Sequence, residues 1–131
     1  MKYILLISGR KAEMEDIWTW PKEDFDAHIA FLVGFNKQLT ESGEMVAVVA
    51  LTGPDKATIV RAGQSRQIAT DGVFPESKEF LAGYWVVDVD TPEQAYAIAE
   101  RASAAPGRGG VPTNIPIEVR QIMSGPPADL L

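Results

Sequence analysis

Tyr3 to Ile7 is an unbroken apolar run of strand length, which predicts a buried central strand. Ser8 to Pro21 has no such period. Gly9 opens it and Pro21 closes it, so it reads as a loop, acidic through Glu13, Glu15 and Asp16 and carrying Trp18 and Trp20. From Lys22 to Ser42 the period turns helical, because Phe25, His28, Leu32, Phe35 and Leu39 fall on one face. Glu23, Asp24 and Asp26 suit the positive end of that helix, and Gly43 stops it. Met45 to Leu51 returns to strand composition, and Gly53-Pro54-Asp55 is a turn. Ala57 to Arg61 and Arg66 to Thr70 read as two short strands joined by a turn containing Gly63. Gly83 to Val89 is the next strand. Thr91, Pro92 and Gln94 then announce a second helix with a capping box, whose apolar face is Ala95, Ile98, Ala99 and Ala102. Ala104 to Pro116 is a Gly/Pro-rich loop, and Ile117 to Ile122 is the last strand.

The order β-α-β, hairpin, β-α-β is that of an α+β, ferredoxin-like split βαβ fold with a hairpin insertion. It spans residues 1–123 as one domain, and 124–131 read as a tail. Two helices cover one face of such a sheet and leave the other bare. A largely apolar bare face predicts a homodimer, and two sheets packed face to face can enclose a cavity.

Composition narrows the chemistry. The 131 residues carry 12 Lys and Arg against 18 Asp and Glu, a net charge of −6, with the basic residues scattered. That disfavours a nucleic-acid surface and an anionic membrane. No apolar run approaches the length of a membrane span or a signal peptide, so a cytoplasmic protein is expected. Cysteine is absent and His28 is the single histidine, which leaves no Cys-ligated zinc and no multi-histidine site within one chain. No metal or redox cofactor is signalled. Gly107-Arg108-Gly109-Gly110 is not a phosphate loop, because it follows a helix and precedes a strand.

Thr70-Asp71-Gly72-Val73-Phe74-Pro75-Glu76-Ser77-Lys78-Glu79, followed by Gly83-Tyr84-Trp85-Val86-Val87-Asp88, resembles the YCII-related family, in particular its branch named for an Asp-Gly-Pro-Phe (DGPF) motif. The opening Met1 to Ile7, the helical His28 and the closing Ile117-Glu118-Val119-Arg120 are similar too, so the resemblance runs over nearly the whole chain. Val73 stands where the family usually has proline, and Gly72 still permits the turn. The resemblance implies a ferredoxin-like fold paired as a dimeric α/β barrel, and a His-Asp site made of His28 and Asp71. A related protein is a dechlorinating enzyme of chlorinated-aromatic breakdown.

His28 is the sharpest candidate for chemistry. An imidazole on an apolar helix face needs a partner, and it can serve as general acid or base. It is equally readable as a core histidine satisfied by a backbone carbonyl. Asp71 would orient it as a carboxylate partner, or is simply the first residue of an Asp-Gly turn. Arg61, Lys78 and Arg120 are candidate anchors for an anionic substrate, or solvated surface. Trp18, Trp20, Tyr84 and Trp85 could line an aromatic pocket closed by the 8–21 loop, or Trp18 and Trp20 could pin that loop to the core. Together these residues predict a small-molecule enzyme doing metal-independent acid/base chemistry of elimination or isomerisation type. The competing expectation is a non-catalytic dimeric ligand-binding or regulatory module.

Overall fold

The computed structural model describes residues 1–72 and 75–124, leaving aside the Pro75 side chain. Val73 and Phe74, where the resemblance turns on the missing proline, and residues 125–131 of the expected tail lie outside the described residues.

Among the described residues, six strands and three α-helices follow in the order β1 (Lys2–Arg10), α1 (Lys11–Asp16), α2 (Lys22–Glu41), β2 (Met45–Ala50), β3 (Thr58–Ile59), β4 (Gln67–Ile68), β5 (Glu79–Asp88), α3 (Pro92–Ser103) and β6 (Ile117–Gln121). Four strands form one antiparallel sheet in the order β2-β5-β1-β6. Each half is thus a split βαβ unit, with the central strand of the other half inserted between its own two strands. The fold is α+β and ferredoxin-like, as the order of periods in the sequence predicts. The expected hairpin insertion is present, but as two strands of two residues each, in a sheet of their own.

The helix-covered face holds the core. Tyr3, Leu5, Trp85 and Val87 from the sheet pack against Phe35 and Leu39 of α2 and against Ala95, Ile98, Ala99 and Ala102 of α3. The small residues let α3 lie close to the sheet. Its start is set by the capping box, in which the Gln94 backbone N–H donates to Thr91 Oγ1 and Gln94 Oε1 accepts from the Thr91 backbone. Trp85 is buried against the Phe35 ring at 82°, and its Nε1–H donates to Asn36 Oδ1 at 2.8 Å. A buried indole keeps its hydrogen bond in this way.

Two departures from the sequence reading shape the site. The 8–21 segment is not a lid-like loop. β1 runs on to Arg10, α1 follows without a break, and Ile17–Thr19 is a 3-10 turn. Charged side chains at i,i+3 and i,i+4 support this short helix: Arg10 pairs with Glu13, and Lys11 pairs with Glu15 at 2.8 Å. Secondly, β5 starts at Glu79, four residues before the Gly83 expected from apolar composition, so it pairs with the whole length of β1. The register slips between Ile7 and Ser8: Ile7 lies opposite Gly83 and Ser8 opposite Leu81, leaving Ala82 unpaired. The extra residue of this β-bulge lies on β5, which bends there and changes how it meets the end of β1.

Candidate functional site

The bulge forms the floor of a cavity of about 240 Å³ lined by Ile7, Ser8, Gly9, Glu13, Met14, Ile17, Trp20, His28, Ala82 and Ile115. β1 supplies the floor, α1 one wall and α2 the other. His28 sits two turns into α2 on the face that carries Phe35 and Leu39, so the helical period that buries those rings also turns the imidazole inward. It is only 8% exposed. Its Nδ1 lies 2.9 Å from the backbone carbonyl oxygen of Pro106. A carbonyl can only accept, so Nδ1 carries the hydrogen in the neutral ring and Nε2 keeps its lone pair. Nε2 has no protein partner among the described residues, and no buried side-chain nitrogen or oxygen there lacks one, so Nε2 retains contact with solvent. His28 also lines the cavity.

The Pro106 carbonyl is itself held in place. Its loop, between α3 and β6, is tied to the start of the chain by three contacts. Arg108 Nη2 donates to Thr19 Oγ1 at 2.6 Å and stands 3.6 Å from Asp16 Oδ1. The Gly109 backbone N–H donates to Asp24 Oδ2 at 2.9 Å. Gly107 faces the Trp20 ring so closely that a Cβ there would lie 2.9 Å from Thr113 Cγ2 and 3.4 Å from the indole. Trp20 in turn sets its indole edge-on to His28, with ring centroids 5.5 Å apart, and donates Nε1–H to Asp16 Oδ2 at 3.1 Å. Asp16 is therefore held below the ordinary aspartate range, first by the indole hydrogen bond, which desolvation opposes, and then by the positive charge of Arg108 and the Thr19 hydroxyl. Within Gly107–Gly110, the Gly109 N–H thus serves a carboxylate of the chain's own, Asp24.

Comparison with known proteins places this arrangement. The YCII-related domain matches residues 1–118. The chain belongs to the YCII-related family. An uncharacterised protein of Rhizobium meliloti (strain 1021) is 27% identical over 112 residues, which cover 85% of this chain and 86% of the relative.

In this YCII-related domain the residues named from the sequence divide clearly. His28 and Trp20 come together at the cavity. Asp71 does not join them. It ends a 3-10 turn after β4, is exposed, and makes no hydrogen bond or ion pair with His28. The backbone carbonyl of Pro106 takes the place that the resemblance gives to Asp71. Trp18 is 76% exposed and stacks obliquely on Phe25 at 5.7 Å, away from the cavity lining, because the 3-10 turn puts it on the opposite side from Trp20. Lys78 is exposed, with its ammonium 5.0 Å from the Phe80 ring centroid, and Arg61 lies exposed in the β3–β4 turn.

The sheet register settles the face of the other three. Arg120 pairs with Ile4 and Glu118 with Leu6, while Tyr84 lies between Leu6 and Val49, all on the helix-free face. Arg120 and Glu118 are exposed and 3.9 Å apart there. Glu13 is the residue that the sequence reading missed. Its Oε1 accepts from Arg10 Nε, and its Oε2 lies over Gly9, 3.7 Å from where a Cβ would stand. The signal was the i,i+3 spacing of Arg10 and Glu13, which is visible only once α1 is read as a helix. Among the described residues, no group of three His, Asp or Glu side chains is placed to hold a metal ion, and no helix is long and apolar enough to cross a membrane.

Proposed function

We propose that this protein binds a small molecule in the His28 cavity and that His28 Nε2 exchanges a proton with it, in acid/base chemistry of elimination or isomerisation type. The observation that carries this reading is that His28, which lines the cavity, gives its Nδ1–H to the Pro106 carbonyl. It fixes the tautomer and aims the free lone pair, the role that an orienting partner plays for a catalytic imidazole. The reading gives that role to Pro106 rather than Asp71. The test is a fragment screen that follows the single imidazole resonance by NMR. Fragments that move it and lose binding in Trp20→Leu support the reading, whereas a screen whose hits all leave His28 unmoved overturns it. Asp71→Asn is expected to leave the resonance where it is.

Binding without catalysis is the second reading, favoured by one observation. A neutral carbonyl behind the imidazole stabilises an imidazolium less than a carboxylate does. Conversion of a bound molecule, as against its recovery unchanged, separates the two. We also propose that the chain pairs with a second copy through the helix-free face, where Ile4, Leu6, Tyr84 and Val86 form an apolar strip left half-buried in the single chain.

A further inference from the structure

Every candidate cation from the sequence stands outside the cavity. Among the described residues no Lys or Arg lines it, and the one carboxylate there is Glu13. Arg10, the nearest basic side chain in sequence, is engaged by Glu13 Oε1. An anion entering the cavity would leave water and find no free cation, because the adjacent guanidinium is already paired with Glu13, and that is the costly way to bury a charge. The remaining lining is Ile7, Met14, Ile17, Ala82, Ile115 and Trp20, with Ser8 and His28 as its other polar residues. An acceptor such as Nε2 selects a ligand that offers it an O–H or N–H. The volume also sets a size. A dry cavity of roughly 150 Å³ holds benzene, and this one measures about 240 Å³.

We infer that the cavity takes an uncharged ligand the size of a substituted six-membered ring, whose hydroxyl donates to His28 Nε2, and that it excludes carboxylates. The inference rests on the reading of His28 Nε2 as the cavity's acceptor. It reverses the substrate class that Arg61, Lys78 and Arg120 suggested from sequence. Glu13 is the specificity-determining residue: it holds the Arg10 guanidinium that would otherwise be free to meet an anion, and it touches no reacting atom.

The probes are phenol, which is neutral at pH 7 because its hydroxyl titrates near 10 as in tyrosine, and benzoate, which is charged. Each is titrated into the full chain while the His28 imidazole resonance is followed. The account expects phenol to shift it saturably, with benzoate weaker by at least about tenfold, equivalent to about 1.4 kcal/mol. It also expects Glu13→Gln to narrow that gap by strengthening benzoate alone. Equal or tighter binding of benzoate at His28 overturns the uncharged-ligand inference and leaves the cavity reading standing. A gap that Glu13→Gln leaves unchanged overturns the role of Glu13. If neither probe moves the resonance, both the inference and the reading beneath it fail.

Discussion

At the scale of single residues, the site depends on one hydrogen bond and one missing side chain. His28→Ala leaves the Pro106 carbonyl without its donor, and an orphaned buried acceptor costs about 1–3 kcal/mol. Chemical denaturation should show a loss in that range, with the midpoint falling and the slope unchanged. Gly83 is the second case. It lies between Ile7 and Ala50 in the sheet, and a Cβ there would stand 2.5 Å from the Val49 carbonyl oxygen. Gly83→Ala must push β2 away from β5, and overpacking of this kind costs about 1–3 kcal/mol, readable by the same measurement. The helical spacing of His28 with Phe35 and Leu39 was legible in the sequence, because period alone places a residue on a face. Its carbonyl partner was legible only as one of two alternatives. Pro106 is 78 residues away, and nothing in its own side chain advertises a bond made by its backbone.

At the scale of elements, both helices of the split βαβ units and the four sheet strands followed from periodicity and caps. α1 did not. Six residues are too few to show a helical period, and Gly9 and Pro21 bracket the segment with loop signals. The price was Glu13, together with the difference between Trp18 and Trp20. The ties between α1, the 3-10 turn and the 104–116 loop make a pH prediction. Asp16 is depressed in the folded chain, so its contribution is present above the ordinary aspartate range and is lost as pH falls through the folded value. The Trp20 indole Nε1–H resonance should therefore move on acidification, below the range where free aspartate titrates. In Asp16→Asn that response should vanish, because the side chain still accepts from the indole but no longer titrates. An unchanged acid response in the variant contradicts the assignment.

At the scale of the whole molecule, strand order and register decide what the sequence could not. A one-residue slip would exchange the two faces, so the side on which Arg120, Glu118 and Tyr84 stand was readable only from pairing. They lie on the helix-free face, with Ile4, Leu6 and Val86, whereas the His28 cavity opens where the end of β1 meets α1 and α2. The proposed pairing and the proposed ligand binding thus use different surfaces. Leu6→Glu buries a charge in the proposed interface and should convert a dimer to a monomer in sedimentation equilibrium, with the His28 resonance retained. A parent chain that is monomeric at high concentration would contradict the proposed pairing without touching the cavity.

The most direct test of the central claim is the nitrogen-15 spectrum of the one imidazole, recorded at mildly alkaline pH in the ligand-free protein. The account predicts a neutral ring with its proton on Nδ1 and a bare, acceptor-type Nε2, the less common tautomer of free histidine. A ring protonated on Nε2 would mean that the Pro106 bond is not made, and that His28 offers the cavity a donor instead of an acceptor.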